Sequence, residues 1–212
     1  MSNTQEGHGR RPRSRIESFV DLIFGLSLSV GAIALISSSP PSSPAELDGH
    51  ILAFLFVFAF LITSWMIYTY QMSVLPVETR LVTSLNVIML ALVAIIPYLL
   101  NNVEFVNQAL GPGASSALQN YASSLFAIDL AGILAILATF SHVISIEEKN
   151  LVVPELARIF RQSRNVQLGL AVLMVISLAP VFWNTTVFGI PARIYIWLVP
   201  VVVYWVRRFR QK

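Results

Sequence analysis

Residues 15–36, which read RIESFVDLIFGLSLSVGAIALI, set the class of this protein. Charged residues stop at Asp21, and the apolar run that follows the first turns continues to Ile36. A helix of this length crosses a hydrocarbon core of about 30 Å. Glycine, serine and alanine recur along the segment, and such small residues let neighbouring membrane helices approach closely. The stretch therefore predicts a membrane-spanning helix that packs tightly.

Five more apolar segments follow, separated by proline- or glycine-rich breaks such as SSSPPSSP at 37–44 and GPG at 111–113. We predict an all-α polytopic membrane protein with six transmembrane helices within residues 15–206. A polar basic tail at 1–14 and a basic tail at 207–212 flank this domain. A short interfacial helix is predicted at 154–161. The six predicted spans are 16–36, 51–72, 81–100, 121–140, 166–182 and 188–206.

The composition excludes several functional classes. Of 212 residues, 56% are hydrophobic and 12% are charged, against about 25% charged in soluble domains. This argues against a soluble enzyme and a disordered chain. The chain has no cysteine, and its histidines, His8, His50 and His142, do not stand beside carboxylates at metal-ligand spacing. We therefore expect no enzymatic activity, catalytic residue, metal site or cofactor.

The basic residues indicate the orientation. With six spans, thirteen of the fourteen Lys and Arg residues fall on one side, and only Arg193 falls on the other. The positive-inside rule then predicts that both termini are cytoplasmic in a multi-pass protein of the inner or plasma membrane. No groove-reading motif accompanies these cations, so we expect the lipid bilayer as a partner and no nucleic acid.

Two carboxylates interrupt the apolar segments. Asp21 lies about a turn and a half inside the first span, and Asp129 lies near the middle of the fourth. Because a charge within the bilayer is costly, such residues need a partner or a function. For Asp21 we favour a packed polar network over a simple interaction with the helix dipole. For Asp129 the alternatives are a structural hydrogen bond to another helix and a proton-carrying site.

The first span also carries a regular stripe. Leu22, Leu26, Ser29, Val30 and Ile33 are spaced i, i+4, i+7, i+8 and i+11, so they share one helix face. Most such stripes are packing faces. The alternative is that four copies surround an axis, because a pore lined by apolar rings gates by dewetting.

A resemblance to a known protein family bears on the choice between a packing face and a pore wall. Residues of the first three spans resemble the prokaryotic members of the lysosomal potassium channel family named after transmembrane protein 175. The matching residues are Arg15, Phe19 and Asp21 in an Arg-x-x-x-Phe-x-Asp pattern, Trp65 near the end of the second span, and Asn86 followed by Pro97 in the third. The family has Ser between Phe and Asp, and His three residues after the Trp. This chain has Val20 and Tyr68 there.

The resemblance implies a homotetramer whose first helices line the pore without a separate filter loop. It implies an apolar constriction at Leu26, further apolar layers at Val30 and Ile33, and a hydroxyl at Ser29. The motif residues, including Trp65 and Asn86, are implied to pack helices together instead of touching ions.

We therefore predict a potassium-preferring cation channel with a hydrophobic gate and potassium as the permeant ion. The alternative is a proton-coupled secondary transporter that uses Asp129 and Asp21. Transporters often contain internal repeats, and the two halves of this sequence show no convincing repeat.

Overall fold

The computed structural model describes residues 15–37, 43–75, 79–104, 111–146, 152–187 and 190–210. Almost all of these residues are helical, which confirms the all-α prediction. A two-stranded antiparallel hairpin, β1 (Thr186–Val187) and β2 (Ile190–Pro191), precedes the last helix. The helices are α1 (Arg15–Ser37), α2 (Pro44–Val74), α3 (Arg80–Glu104), α4 (Gly111–Ser145), α5 (Pro154–Ile176), α6 (Pro180–Asn184) and α7 (Ala192–Arg210).

Among the residues that the structure describes, three helices contain segments long and apolar enough to cross a membrane. These segments are Leu47–Val74, Arg80–Val103 and Ala117–Ser145, while α1 contributes the shorter apolar run Ser18–Ile33. The six predicted segments each overlap one of the long helices α1–α5 and α7. The number of spans, six, stays a prediction.

The start of α5 differs from the sequence-based expectation. Residues 154–161 do not form a separate interfacial helix, because α5 runs unbroken from Pro154 to Ile176. Proline is tolerated in the first turn of a helix, where its missing N–H has no intrahelical partner. Phe160 is buried and stacks on Tyr70 of α2 at 5.4 Å between ring centroids. This contact attaches the first turns of α5 to the bundle.

The fifth segment also ends earlier than predicted. Instead of continuing to residue 182, α5 ends at Ile176, and the N–H of Ser177 caps it by donating to the carbonyl of Leu173. Pro180 then begins the short helix α6. A proline shortly after a helix end is common because it cannot continue the hydrogen-bond ladder.

The helices pack in a clear order around α4. Helix α1 packs on α2 and α3, α3 packs on α4, α4 packs on α5, and α7 lies against α2 and α5. The apolar segment of α4 is 67% buried, whereas those of α2 and α3 are 33% buried. At Gly132 a Cβ would lie 2.9 Å from Leu92 Cδ1, so α3 and α4 approach closely there. Helix α4 is the centre of the bundle, and α1 lies at its edge.

Arg193 joins three parts of this bundle. Its side chain is buried, and its Nε donates to the carbonyl of Ser177 at 2.8 Å, while Nη2 donates to the carbonyl of Leu178 at 3.1 Å. The guanidinium carbon also lies 5.5 Å from the centre of the Trp183 ring. Nη1 of Arg193 donates to three acceptors on α4, which are Ser123 Oγ at 2.7 Å, Ser124 Oγ at 3.0 Å and Asn120 Oδ1 at 3.1 Å. The cation that the sequence places apart from the others thus holds α4, α7 and the turn after α5 together.

We predict that Arg193→Met destabilises the protein by about 3 kcal/mol, because buried carbonyls and hydroxyls lose their donor. Arg193→Lys should recover only part of this loss, since an ammonium cannot reproduce the planar fork of the guanidinium. The free energy of unfolding in detergent measures both effects. The control is Arg158→Met at an exposed position of α5. Equal stability of the Arg193 and Arg158 variants would contradict the assigned role.

Candidate functional site

Helix α1 has one face that packs into the bundle. Val20, Phe24 and Ser27 on this face are almost completely buried. Further along, a Cβ placed on Gly31 would lie 3.9 Å from the Phe54 ring of α2 and 4.0 Å from Pro97 of α3. These contacts fix the rotation of α1 about its axis, and therefore fix which residues its other face presents.

The opposite face of α1 is uncovered in the single chain. Leu22, Leu26, Val30 and Ile33 are 64%, 55%, 43% and 59% exposed, and Ser29 is exposed beside them. These are the residues that the sequence places on one stripe. Contiguous uncovered apolar surface is typical of a face that meets lipid or another protein. The structure brings the predicted pore residues together on such a face.

Ser29 gives this face one polar feature. Its Oγ donates a hydrogen bond to the carbonyl of Gly25 at 2.9 Å. Because the hydroxyl hydrogen is used within the helix, the oxygen lone pairs remain available as acceptors on the exposed side. Gly25 is itself exposed, and nothing lies within 4 Å of the place its Cβ would take. The face therefore combines bulky apolar side chains with a small recess formed by Gly25 and Ser29, where the Ser29 oxygen is exposed.

The base of α1 is tied to α2 through Asp21. The carboxylate accepts a hydrogen bond from Trp65 Nε1 at 2.8 Å. Val20 is fully buried, and Tyr68, one turn after Trp65, stacks on Phe24. Asp21 is thus held by a donor on a neighbouring helix, as a carboxylate within an apolar segment requires.

The remaining predicted packing residues lie in different surroundings. Asn86 is buried in α3, and its Oδ1 has no hydrogen-bond partner among the described residues. Phe19 is 53% exposed in the single chain, on the uncovered side of α1. Arg15 begins α1, but its side chain lies outside the described part of the structure.

Asp129 lies apart from α1, at the centre of the bundle. It is 4% exposed, and within the described residues neither carboxylate oxygen has a hydrogen-bond partner. One turn earlier, the rings of Phe126 and Trp197 lie 4.6 Å apart. Since Asp129 makes no such bond, it is not joined to Asp21.

Besides the bonds of Arg193, sequence reasoning missed a polar connection that joins α2, α4 and α5. Gln71 Nε2 of α2 donates to the carbonyl of Leu137 at 2.8 Å and to Ser141 Oγ of α4 at 2.7 Å. Ser141 Oγ donates in turn to Gln167 Oε1 of α5 at 3.1 Å. Polar residues near the ends of predicted spans are the only sequence signal for it.

Within the described residues, no three His, Cys, Asp or Glu side chains form a group suited to a metal ion.

Comparison with solved structures finds two channels whose folds are similar to that of this chain. The chain is similar to a lysosomal potassium-selective channel TMEM175 homolog from Chamaesiphon Minutus, with a TM-score of 0.60 and 16% identity over 91% of this chain and 96% of that one. It is also similar to a variant of the potassium channel MtTMEM175 crystallised with a Nanobody-MBP fusion protein, with a TM-score of 0.62 and 14% identity over 95% of each chain. This chain has the TMEM175 channel fold.

The likeness extends beyond the part of the sequence that resembles the family. The sequence motifs cover only residues 15–100, whereas the structural match covers more than nine-tenths of the chain. The last three long helices therefore share the TMEM175 arrangement without a recognisable motif. No protein-family model matches the sequence, and comparison with curated proteins finds no match either.

The hydrogen bond between Trp65 and Asp21 makes a specific prediction. Trp65→Phe removes the indole donor and should lower the free energy of unfolding by about 2 kcal/mol, because bonds to charged groups contribute about 1.5–3 kcal/mol. Asp21→Asn should cost a similar amount. In the double variant the two losses should overlap by about 1–2 kcal/mol.

Chemical denaturation in detergent measures the four proteins of this cycle. Trp205→Phe, near the far end of α7, serves as the matched control and should stay within about 0.5 kcal/mol of the parent protein. Strictly additive losses for Trp65 and Asp21 would mean that the contact contributes no coupling.

Proposed function

We propose that this protein is a potassium-preferring cation channel and not an enzyme. The observation that carries the proposal is the uncovered apolar face of α1, with Leu26, Ser29, Val30 and Ile33, in a chain with the TMEM175 fold. The two similar structures are described as a potassium-selective channel homolog and a potassium channel. In this proposal four copies of α1 surround the pore, and no separate filter loop is needed.

The composition of the uncovered face supports an assembly of several copies. Gly25 and Ser29 are both exposed and stand four residues apart. Two small residues at this spacing allow close contact between membrane helices. A helix face that contacts only lipid has no packing advantage from two such small residues. We therefore propose a homotetramer in which these small residues let the α1 helices approach one another.

Leu26 is the proposed constriction of the pore. A ring of leucine side chains around an axis leaves a narrow apolar passage that water leaves readily, and this passage then resists ions. Ser29 lies one turn further along, and its acceptor oxygen suits contact with a cation. Val30 and Ile33 extend the apolar wall. In the proposed orientation both termini lie in the cytoplasm of a cell whose inner or plasma membrane holds the channel.

Leu26→Ala should raise potassium flux through purified protein in liposomes by about tenfold, which corresponds to a barrier lowered by about 1.4 kcal/mol. The physical reason is that a smaller side chain widens the constriction and keeps it hydrated. The matched control is Leu168→Ala, an exposed leucine of α5, which should leave the flux unchanged.

The absence of cysteine gives an independent check. A Leu26→Cys variant carries the sole thiol, and a charged thiol reagent should change its flux, while the same treatment of Leu168→Cys should not. The proposal fails if pure protein passes no potassium while a known channel works in the same liposomes.

Asp129 supports a second candidate function, a proton-coupled secondary transporter. Its carboxylate is buried at the bundle centre, and neither oxygen has a partner within the described residues. Buried intramembrane carboxylates often form part of proton pathways. Asp21, held by Trp65, is the other acidic residue that this candidate uses.

Asp129→Asn separates the two candidates. In the transporter, flux should depend steeply on the pH gradient, and the substitution should abolish that dependence. In the channel, flux should follow the potassium gradient and survive the substitution. Ion flux with opposed potassium and pH gradients distinguishes these results, and Asp48→Asn at an exposed position of α2 provides the control.

A further inference from the structure

A cavity of about 300 Å³ lies between α2, α5 and α7, with one lining residue from α4, away from the exposed face of α1. Ligand sites of this size are usually lined by apolar side chains with a few polar groups among them. This cavity has that character. Its apolar wall includes Leu134, Leu170 and Val201, and its polar lining includes Thr63, Gln71 and Gln167.

Three of the polar lining residues are more than nine-tenths buried and incompletely bonded. Thr63, Gln71 and Gln167 are 4%, 1% and 4% exposed. The bonds through Ser141 use Nε2 of Gln71 and Oε1 of Gln167. Thr63 Oγ1, Gln71 Oε1 and Gln167 Nε2 have no hydrogen-bond partner in the described structure. Buried polar atoms are normally paired, so this lining is suited to a ligand that carries polar groups.

Positive charge accompanies these groups. Arg207 and Arg208, in the last turns of α7, also line the cavity, and their exposure places them towards its opening. No Asp or Glu occurs among the lining residues of the described chain. Guanidinium groups bind phosphate through paired N–H donors. The site therefore joins an anion-binding end to an apolar interior.

We propose that this cavity binds an anionic phospholipid from the surrounding membrane. The phosphate lies at Arg207 and Arg208, the polar glycerol region faces the buried amides, and part of one acyl chain occupies the apolar wall. A soluble anion satisfies only the first of these features. Basic residues next to a membrane span attract anionic lipids in the same way. The site is separate from the proposed pore, and its test needs no ion flux.

The test uses the full chain in detergent, with phosphatidylglycerol and phosphatidylcholine of identical acyl chains as probes. Native mass spectrometry should retain one phosphatidylglycerol per subunit, and phosphatidylglycerol should raise the unfolding temperature more than phosphatidylcholine does. In Arg207→Gln/Arg208→Gln the affinity should fall about thirtyfold, since each such cation contributes a factor of about five. Arg210→Gln, whose position does not line the cavity, is the matched control and should bind normally.

A second variant tests the apolar part of the site. Ser163→Trp fills the cavity and should remove retention of the lipid, whereas Gln162→Trp, an exposed neighbour outside the lining, should keep it. The double arginine variant changes partly or fully exposed side chains, so it remains informative if the tryptophan variant does not fold.

Three results would overturn the proposal. Equal retention of the two lipids would show that the charge is not recognised, and equal losses in the Arg210 control would show that the cavity is not the site. Equal stabilisation by inorganic phosphate alone would assign the site to a soluble anion.

Discussion

A helix at the edge of a bundle can give only one face to its own chain, and α1 gives the face that carries Val20, Phe24 and Ser27. The burial of these three side chains in the bundle fixes the rotation of α1 about its axis. The position of Leu26 outside the bundle is therefore a consequence of packing elsewhere on the same helix. The proposed pore wall depends on this constraint more than on any contact that Leu26 makes within the chain.

The part of the fold that could be read from the sequence is the part controlled by local periodicity. The stripe through Leu26 and Ile33 follows from 3.6 residues per turn, and the structure places it on one face as expected. The beginning of α5 was harder to predict, because Pro154 suits both a short separate helix and the first turn of a long one. The stacking of Phe160 on Tyr70, which attaches that first turn to α2, joins residues far apart in sequence.

The polar contacts were the least predictable part of the molecule. Arg193 bonds to Ser123, 70 residues earlier, and no local sequence pattern predicts such a pair. The sequence indicates only that an arginine stands apart from the other cations. The same holds for Gln71 and Gln167, whose shared partner Ser141 lies on a third helix. For Asp21, by contrast, the depth of the carboxylate predicts a partner, and the resemblance marks Trp65 without giving the bond.

The uncovered face of α1 also bears on how such a protein changes over generations. In the proposed tetramer one codon specifies four side chains around a single axis, so any substitution at position 26 is repeated on every wall of the passage. Small differences in side-chain volume are thereby multiplied by symmetry. Residues of α4 near Gly132 face a different constraint, because each must fit a neighbour within its own chain. A substitution at position 26 therefore changes the proposed passage on every side at once, whereas one near Gly132 changes a single packing contact in each copy.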